Sequence, residues 1–82
     1  MQRGDVVRLV PSTRSGHEQQ STRFGVIIQS DALMPLSTVL VAPTSQSALA
    51  TSFRPTVLIE SQATRVLLEQ IAAVDVRRTS QP

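Results

Sequence analysis

A chain of 82 residues has the length of one small domain, and at that size folding leaves roughly 40% of the unfolded surface in water, so stability alone is marginal. Cysteine is absent and histidine occurs once, which excludes disulfides and argues against a structural zinc site, leaving association of subunits as the available staple. Hydrophobic residues at 40% with charged residues at 17% suit a folded core, and the +2 net charge comes from eight arginines and no lysine against six acids, a weakly basic surface with donors forked for phosphate.

The opening Met1-Gln2-Arg3-Gly4-Asp5 lacks the apolar stretch of a signal peptide, and no window approaches 18 consecutive apolar residues. A soluble, cytoplasmic protein with no membrane partner is expected. Val6 to Val10 reads as the first strand, ended by Pro11-Ser12, and residues 11 to 22 read as a long exposed loop. Phe24 to Gln29 and Thr38 to Ala42 are near-continuous apolar runs of strand length, the second stopped by Pro43; both read as central strands. Ser30-Asp31 opens the link between them, with room for one helical turn. Residues 44 to 52 are rich in Thr, Ser and Ala and read as a loop, and Thr56-Val57-Leu58-Ile59 as a fourth strand.

The segment Val66 to Val76 fits a helix by its spacing, but Ile71 to Val76 serves better as a final strand. The polar tail from Arg77 to Pro82 is expected to fray. Short Val/Ile/Leu runs between turn clusters predict a mostly β protein, a small barrel or sandwich in a single domain spanning residues 1 to 82.

Common enzyme signatures are missing: no glycine-rich phosphate loop, no serine nucleophile between glycines, no spaced metal ligands. The polar residues worth weighing are Arg23 before a buried strand, Thr44-Ser45-Gln46 after another, His17-Glu18-Gln19 in the long loop, and Glu69-Gln70 before the last strand. Strand ends at the rim of a small sheet can converge on one groove. Each also has a plain reading as edge charge, turn chemistry or surface. Composition and spacing leave that choice open.

The order of these pieces resembles the MazF/PemK family of toxin endoribonucleases. The resemblance begins at Arg3-Gly4-Asp5-Val6-Val7, continues through Gly16-His17-Glu18-Gln19 and Arg23, and includes Val26-Ile27-Ile28-Gln29-Ser30-Asp31. It resumes at Val41-Ala42-Pro43-Thr44-Ser45-Gln46-Ser47-Ala48, then Phe53-Arg54-Pro55, and ends in Thr64-Arg65-Val66-Leu67-Leu68-Glu69-Gln70-Ile71 with Val74-Asp75. It implies an SH3-like β-barrel of about five strands that forms a homodimer. It also implies a type II toxin that cleaves single-stranded mRNA without metal or cofactor and is neutralised by a MazE-like antitoxin.

Under that resemblance Arg23 and Thr44 are the catalytic pair, and Glu18, Gln19, Ser45, Gln46, Glu69 and Gln70 contact RNA. The RNA's own 2′-hydroxyl attacks the adjacent phosphate, giving a 2′,3′-cyclic phosphate and a 5′-hydroxyl. The protein then has to stabilise charge and move a proton. Arg23 suits the first task and is too basic to be a general base. Phe24 and Phe53 are the only aromatics, so bases would be read mainly by polar contacts.

Three departures from the family pattern stand out. Phe24 follows Arg23 where the family usually has proline, Ala72-Ala73 replace a segment that often carries a basic residue, and the family's C-terminal helix is expected to be absent after Arg77-Arg78. Two other functions remain open on these residues. One is an inactive, truncated homologue that only binds antitoxin or dimerises, and the other is a CcdB-like toxin that binds gyrase.

Overall fold

The computed structural model describes residues 1–10, 23–49 and 51–81. Their strands are β1 (Val6–Leu9), β2 (Arg23–Ile27), β3 (Thr38–Ser45), β4 (Thr56–Ile59), β5 (Gln62–Val66), β6 (Ala72–Asp75) and β7 (Thr79–Ser80). All pairings are antiparallel, in the order β4-β5-β3-β2-β1-β7, and β6 also pairs with β3. The mostly β expectation holds. There are seven strands rather than about five, and β4 and β7 remain unjoined ends of the sheet among the described residues.

The long strand β3 organises the rest. One edge pairs with β2 through Val41, Ala42 and Pro43; the other pairs first with β6 over Thr38 to Val41 and then with β5 at Thr44 and Ser45. Sequence reading ended this strand at Pro43, yet it runs on to Ser45. The reason is where the missing N–H falls. The Pro43 carbonyl accepts from the Leu67 N–H at 2.9 Å, and a strand residue turns its N–H and carbonyl to the same edge. The lost donor therefore lies between the β6 ladder and the β5 ladder, where no acceptor is waiting.

Alternation on β1, β2 and β3 places Val7, Ile27, Val39 and Val41 in one buried cluster, with Leu9, Met34, Val74 and Val76 packed against it. Gly25 faces this cluster because no side chain fits there. A Cβ would lie 2.5 Å from Val41 Cγ1 and 2.9 Å from Leu9 Cδ1. Gln29 ends β2's run as a buried amide. Its Nε2 donates to the Leu33 carbonyl and its Oε1 accepts from the Leu40 N–H, each at 3.1 Å. The expected helical turn is present as a 3-10 turn over Asp31–Leu33, capped by the Ser30 hydroxyl, which accepts from the Ala32 N–H.

Two segments differ from the sequence reading. Strand β5 was not expected, because the turn before it contains no Gly or Asn. Glu60 and Ser61 nevertheless adopt φ of 52° and 66°, the left-handed pair that joins two-residue hairpins. The tail was expected to fray. Instead a 3-10 turn at Val76–Arg78 and β7 lay it along β1, with the Val10 N–H donating to the Arg78 carbonyl and Arg78 Nε to the Val10 carbonyl. Asp75 caps that turn, accepting from the Arg77 N–H and from its guanidinium.

Two outcomes follow from this packing. Gly25→Ala should lower stability by about 1–3 kcal/mol, since backbone and neighbours must move to admit a methyl; urea denaturation measures the loss. The Arg77 side chain and then its backbone N–H hold the Asp75 carboxyl down to about 2, below the ordinary 3.8. A carboxyl lowered in the folded state adds stability that is fully present above 3.8 and lost as pH falls through about 2. NMR titration should place Asp75 there, and Arg77→Ala should move it up towards 3.8.

Candidate functional site

The N-terminal end of β2 and the C-terminal end of β3 lie side by side, and they bring together the residues that sequence placed at strand ends. Arg23, the first residue of β2, is exposed. Thr44 is buried, and its hydroxyl donates to the carbonyl of Phe24 at 2.8 Å. The hydroxyl thus pins the backbone immediately after Arg23. The β2–β3 ladder ends at Gly25↔Pro43, and beyond it Thr44 reaches Phe24 through its side chain.

Ser45 is half-buried, and its Oγ accepts from the N–H groups of Ser47 and Ala48 at 3.2 and 3.1 Å. That turn, common to serines at loop starts, lets the chain leave β3 with exposed Gln46 at its first step. Glu69 and Gln70 lie on a 3-10 turn, Leu68–Gln70. The turn begins next to Leu67, whose N–H is bonded to Pro43, so it departs from the sheet one residue from Thr44.

Glu69 is not alone. Arg54 Nε and Nη2 both donate to its Oε2, at 3.1 and 2.8 Å, and Arg54 Nη1 donates to the Leu49 carbonyl at 3.2 Å. The guanidinium also lies 5.7 Å from the centroid of the Phe53 ring. This cation ties the chain before β4 to the turn after β5, and its hydrogen bonds hold the Glu69 carboxyl below the usual range. Gln70 Nε2 is 3.4 Å from the same oxygen. Phe24 has Arg8 over its ring at 5.4 Å, so that face already has a partner.

Glu18, Gln19 and His17 lie outside the described residues. Of the sequence candidates, Arg23, Thr44, Ser45, Gln46, Glu69 and Gln70 lie at or beside these strand ends, as do Arg54 and Arg65, which were not among the candidates. Both stood inside the quoted segments, and nothing in their spacing distinguished them from solvated edge charges. Arg65 enters because β5 pairs with β3, Ser45 facing Arg65. A separate cleft of about 560 Å³, lined by Met1, Asp5, Val6, Val7, Val76, Thr79, Ser80 and Gln81, contains none of these residues. Among the described residues, no three His, Cys, Asp or Glu side chains gather as a metal site, and no helix is long and apolar enough to cross a membrane.

This arrangement offers a guanidinium on a fixed backbone, a second arginine across β3, hydroxyls between them and a carboxylate–amide pair nearby. The side chains gathered there are polar and charged rather than apolar. A family model described as PemK-like, MazF-like toxin of type II toxin-antitoxin system matches residues 2–82. A protein of Mycobacterium tuberculosis (strain H37Rv), named as a candidate toxin, is 40% identical over 75 residues, covering 90% of this chain and 70% of that protein. The chain belongs to the PemK/MazF-like family of type II toxin-antitoxin toxins.

Proposed function

We propose that this toxin is a metal-independent endoribonuclease that cleaves single-stranded mRNA in the cytoplasm. The observation that carries the reading is Arg23, exposed at the start of β2 on backbone that the Thr44 hydroxyl holds by 2.8 Å to the Phe24 carbonyl. The reaction needs no protein nucleophile. The ribose 2′-hydroxyl gives its proton to solvent water as it attacks the adjacent phosphorus, the bond to the 5′-oxygen breaks as that oxygen takes up a proton, and the products are a 2′,3′-cyclic phosphate and a 5′-hydroxyl. Arg23 stabilises the extra charge on the phosphoryl oxygens and can donate a proton to the leaving oxygen.

Thr44 serves Arg23 by holding the next carbonyl. To donate to a phosphate oxygen it would first have to release Phe24. Unpaired bases present open edges to Ser45, Gln46, Glu69 and Gln70. Among the described residues Arg54 and Gln70 both reach Oε2 of Glu69, and the carboxylate can also accept from an exocyclic amine. Glu18 and Gln19 complete the set of RNA contacts.

The functional unit is a homodimer, a reading supported by the small core and by exposed Leu33, Leu36, Leu40 and Ile71 on the described surface. A MazE-like antitoxin partner, acidic and folding on contact, would compete with RNA for Arg23.

Arg23→Ala should cut RNA cleavage roughly a hundred- to a thousand-fold with the fold intact, as expected when one preorganised charge-stabilising donor is removed. Cleavage of a long RNA in EDTA, followed on gels, measures this; an Arg23→Ala protein as active as the parent would end the assignment. Thr44→Val strands the Phe24 carbonyl and should lose about 1–3 kcal/mol of stability together with cleavage, whereas Thr44→Ser should keep most of both. Sedimentation at micromolar concentration should give about twice the 8.9 kDa chain mass; a folded monomer on dilution would contradict the dimer.

A further inference from the structure

Arg65 lies beside the site without a role in the cleavage described above, and its surroundings are unusual for a surface arginine. It is half-buried on β5. Its Nη1 donates to the Thr56 hydroxyl at 2.7 Å, while its Nε is buried with no hydrogen-bond partner among the described residues. Neither ion pair among the described residues includes it, since Arg54 takes Glu69 and Arg77 takes Asp75. A guanidinium stays charged at any working pH, and a partly desolvated one with an orphaned donor is short of an acceptor.

The register says what the rest of this guanidinium stands beside. Arg65 is directly opposite Ser45 on β3 and opposite Thr56 on β4, and residues directly opposite in a sheet share a face. The paired row crosses three strands, Ser45, Arg65 and Thr56, and Arg23 falls in line with it when the β2–β3 register is continued beyond its last pair. With strands roughly 4.8 Å apart, the two arginines start about 10 Å from one another. Ser45 stands between them. Its oxygen accepts from two backbone N–H groups, and its own hydrogen is left for Ser47 Oγ at 3.3 Å or for an incoming oxyanion.

We propose that Arg65, with the Ser45 and Thr56 hydroxyls, forms a second phosphate-binding position that holds the phosphodiester backbone of the RNA beside the phosphate engaged by Arg23. The proposal rests on the RNA-cleaving reading for its ligand and concerns binding rather than chemistry. Arg65 supplies Nη2, and Thr56 keeps the Nη1 side of the guanidinium fixed. A phosphate there carries no sequence information, so its contribution is the same for every RNA.

The test uses the full chain and a random-sequence 2′-O-methyl RNA pool, which cannot be cleaved, with affinity read by fluorescence anisotropy across a salt series. Arg65→Ala should weaken binding about ten-fold and reduce the slope of log affinity against log salt by about 0.7, the loss of one single-strand phosphate contact. Arg65→Lys should retain the slope with affinity between the two. Thr56→Val should weaken binding less than Arg65→Ala. Cleavage of ordinary RNA by Arg65→Ala should show a raised KM and a kcat within about two-fold of the parent.

Unchanged affinity and slope in both folded Arg65 variants would overturn the site. So would an Arg65 Nε resonance that moves with inorganic phosphate while RNA affinity is insensitive to substitution, the mark of an adventitious ion only. A parent protein that binds the 2′-O-methyl pool through Arg65 but leaves ordinary RNA intact would keep the site and remove the nuclease reading. Conversely, a parent that cleaves RNA with Arg65 variants of unchanged KM would keep that reading and remove the site.

Discussion

Strand β3 has to satisfy two edges at once, and most of the molecule is arranged by how it does so. Eight residues long, it is bonded along one side by β2 and along the other by β6 and then β5. A strand shared among three partners needs one place where the second edge changes hands. Pro43 occupies it, because a residue with no N–H is harmless only where no ladder bond is required. The hand-over sends β5 and the turn at Leu68–Gln70 away beside Thr44, while β6 continues against the buried face formed by Val39 and Val41. Site and core are therefore two ends of one strand.

That division explains how exposed charge can be held firmly in so small a protein. Arg23 lies at a strand start, where fraying would be expected, but Thr44 reaches across from β3 to the carbonyl that follows it. Arg54 does the same for the chain before β4, using the Glu69 carboxylate, the Leu49 carbonyl and the Phe53 ring. In water such a pair adds little to overall stability. Its effect is geometric: two segments with few buried side chains are given one relative position.

Much of the sheet was legible as sequence. The β2 and β3 runs announce themselves by continuous β-branched and apolar residues, and Thr56–Ile59 by the same pattern after Pro55. Strand β5 was hidden because Gln62-Ala63-Thr64-Arg65-Val66 has a polar outer face and a buried one made partly of threonine, and because Glu60-Ser61 makes its turn without glycine. The tail was hidden because its order comes from distant partners, Val10 and the β1 backbone, which no local pattern encodes. For the site, the family motifs pointed to Arg23, Thr44 and Glu69. They did not reveal that Glu69 is held by Arg54 or that Arg65 faces Ser45, since both facts depend on strand register.

Gln29 is held in one orientation by two different partners. Its amide is a key with a direction: nitrogen towards the Leu33 carbonyl, oxygen towards the Leu40 N–H, in a position only 6% exposed. Conversion to glutamate by slow hydrolysis would present oxygen to both, setting acceptor against acceptor at Leu33 and leaving a charge where water does not reach. Asparagine would fall one methylene short of spanning the two groups. The link between the strand that carries Arg23 and the strand that carries Thr44 is thus held by a group that must keep both its nitrogen and its oxygen in place.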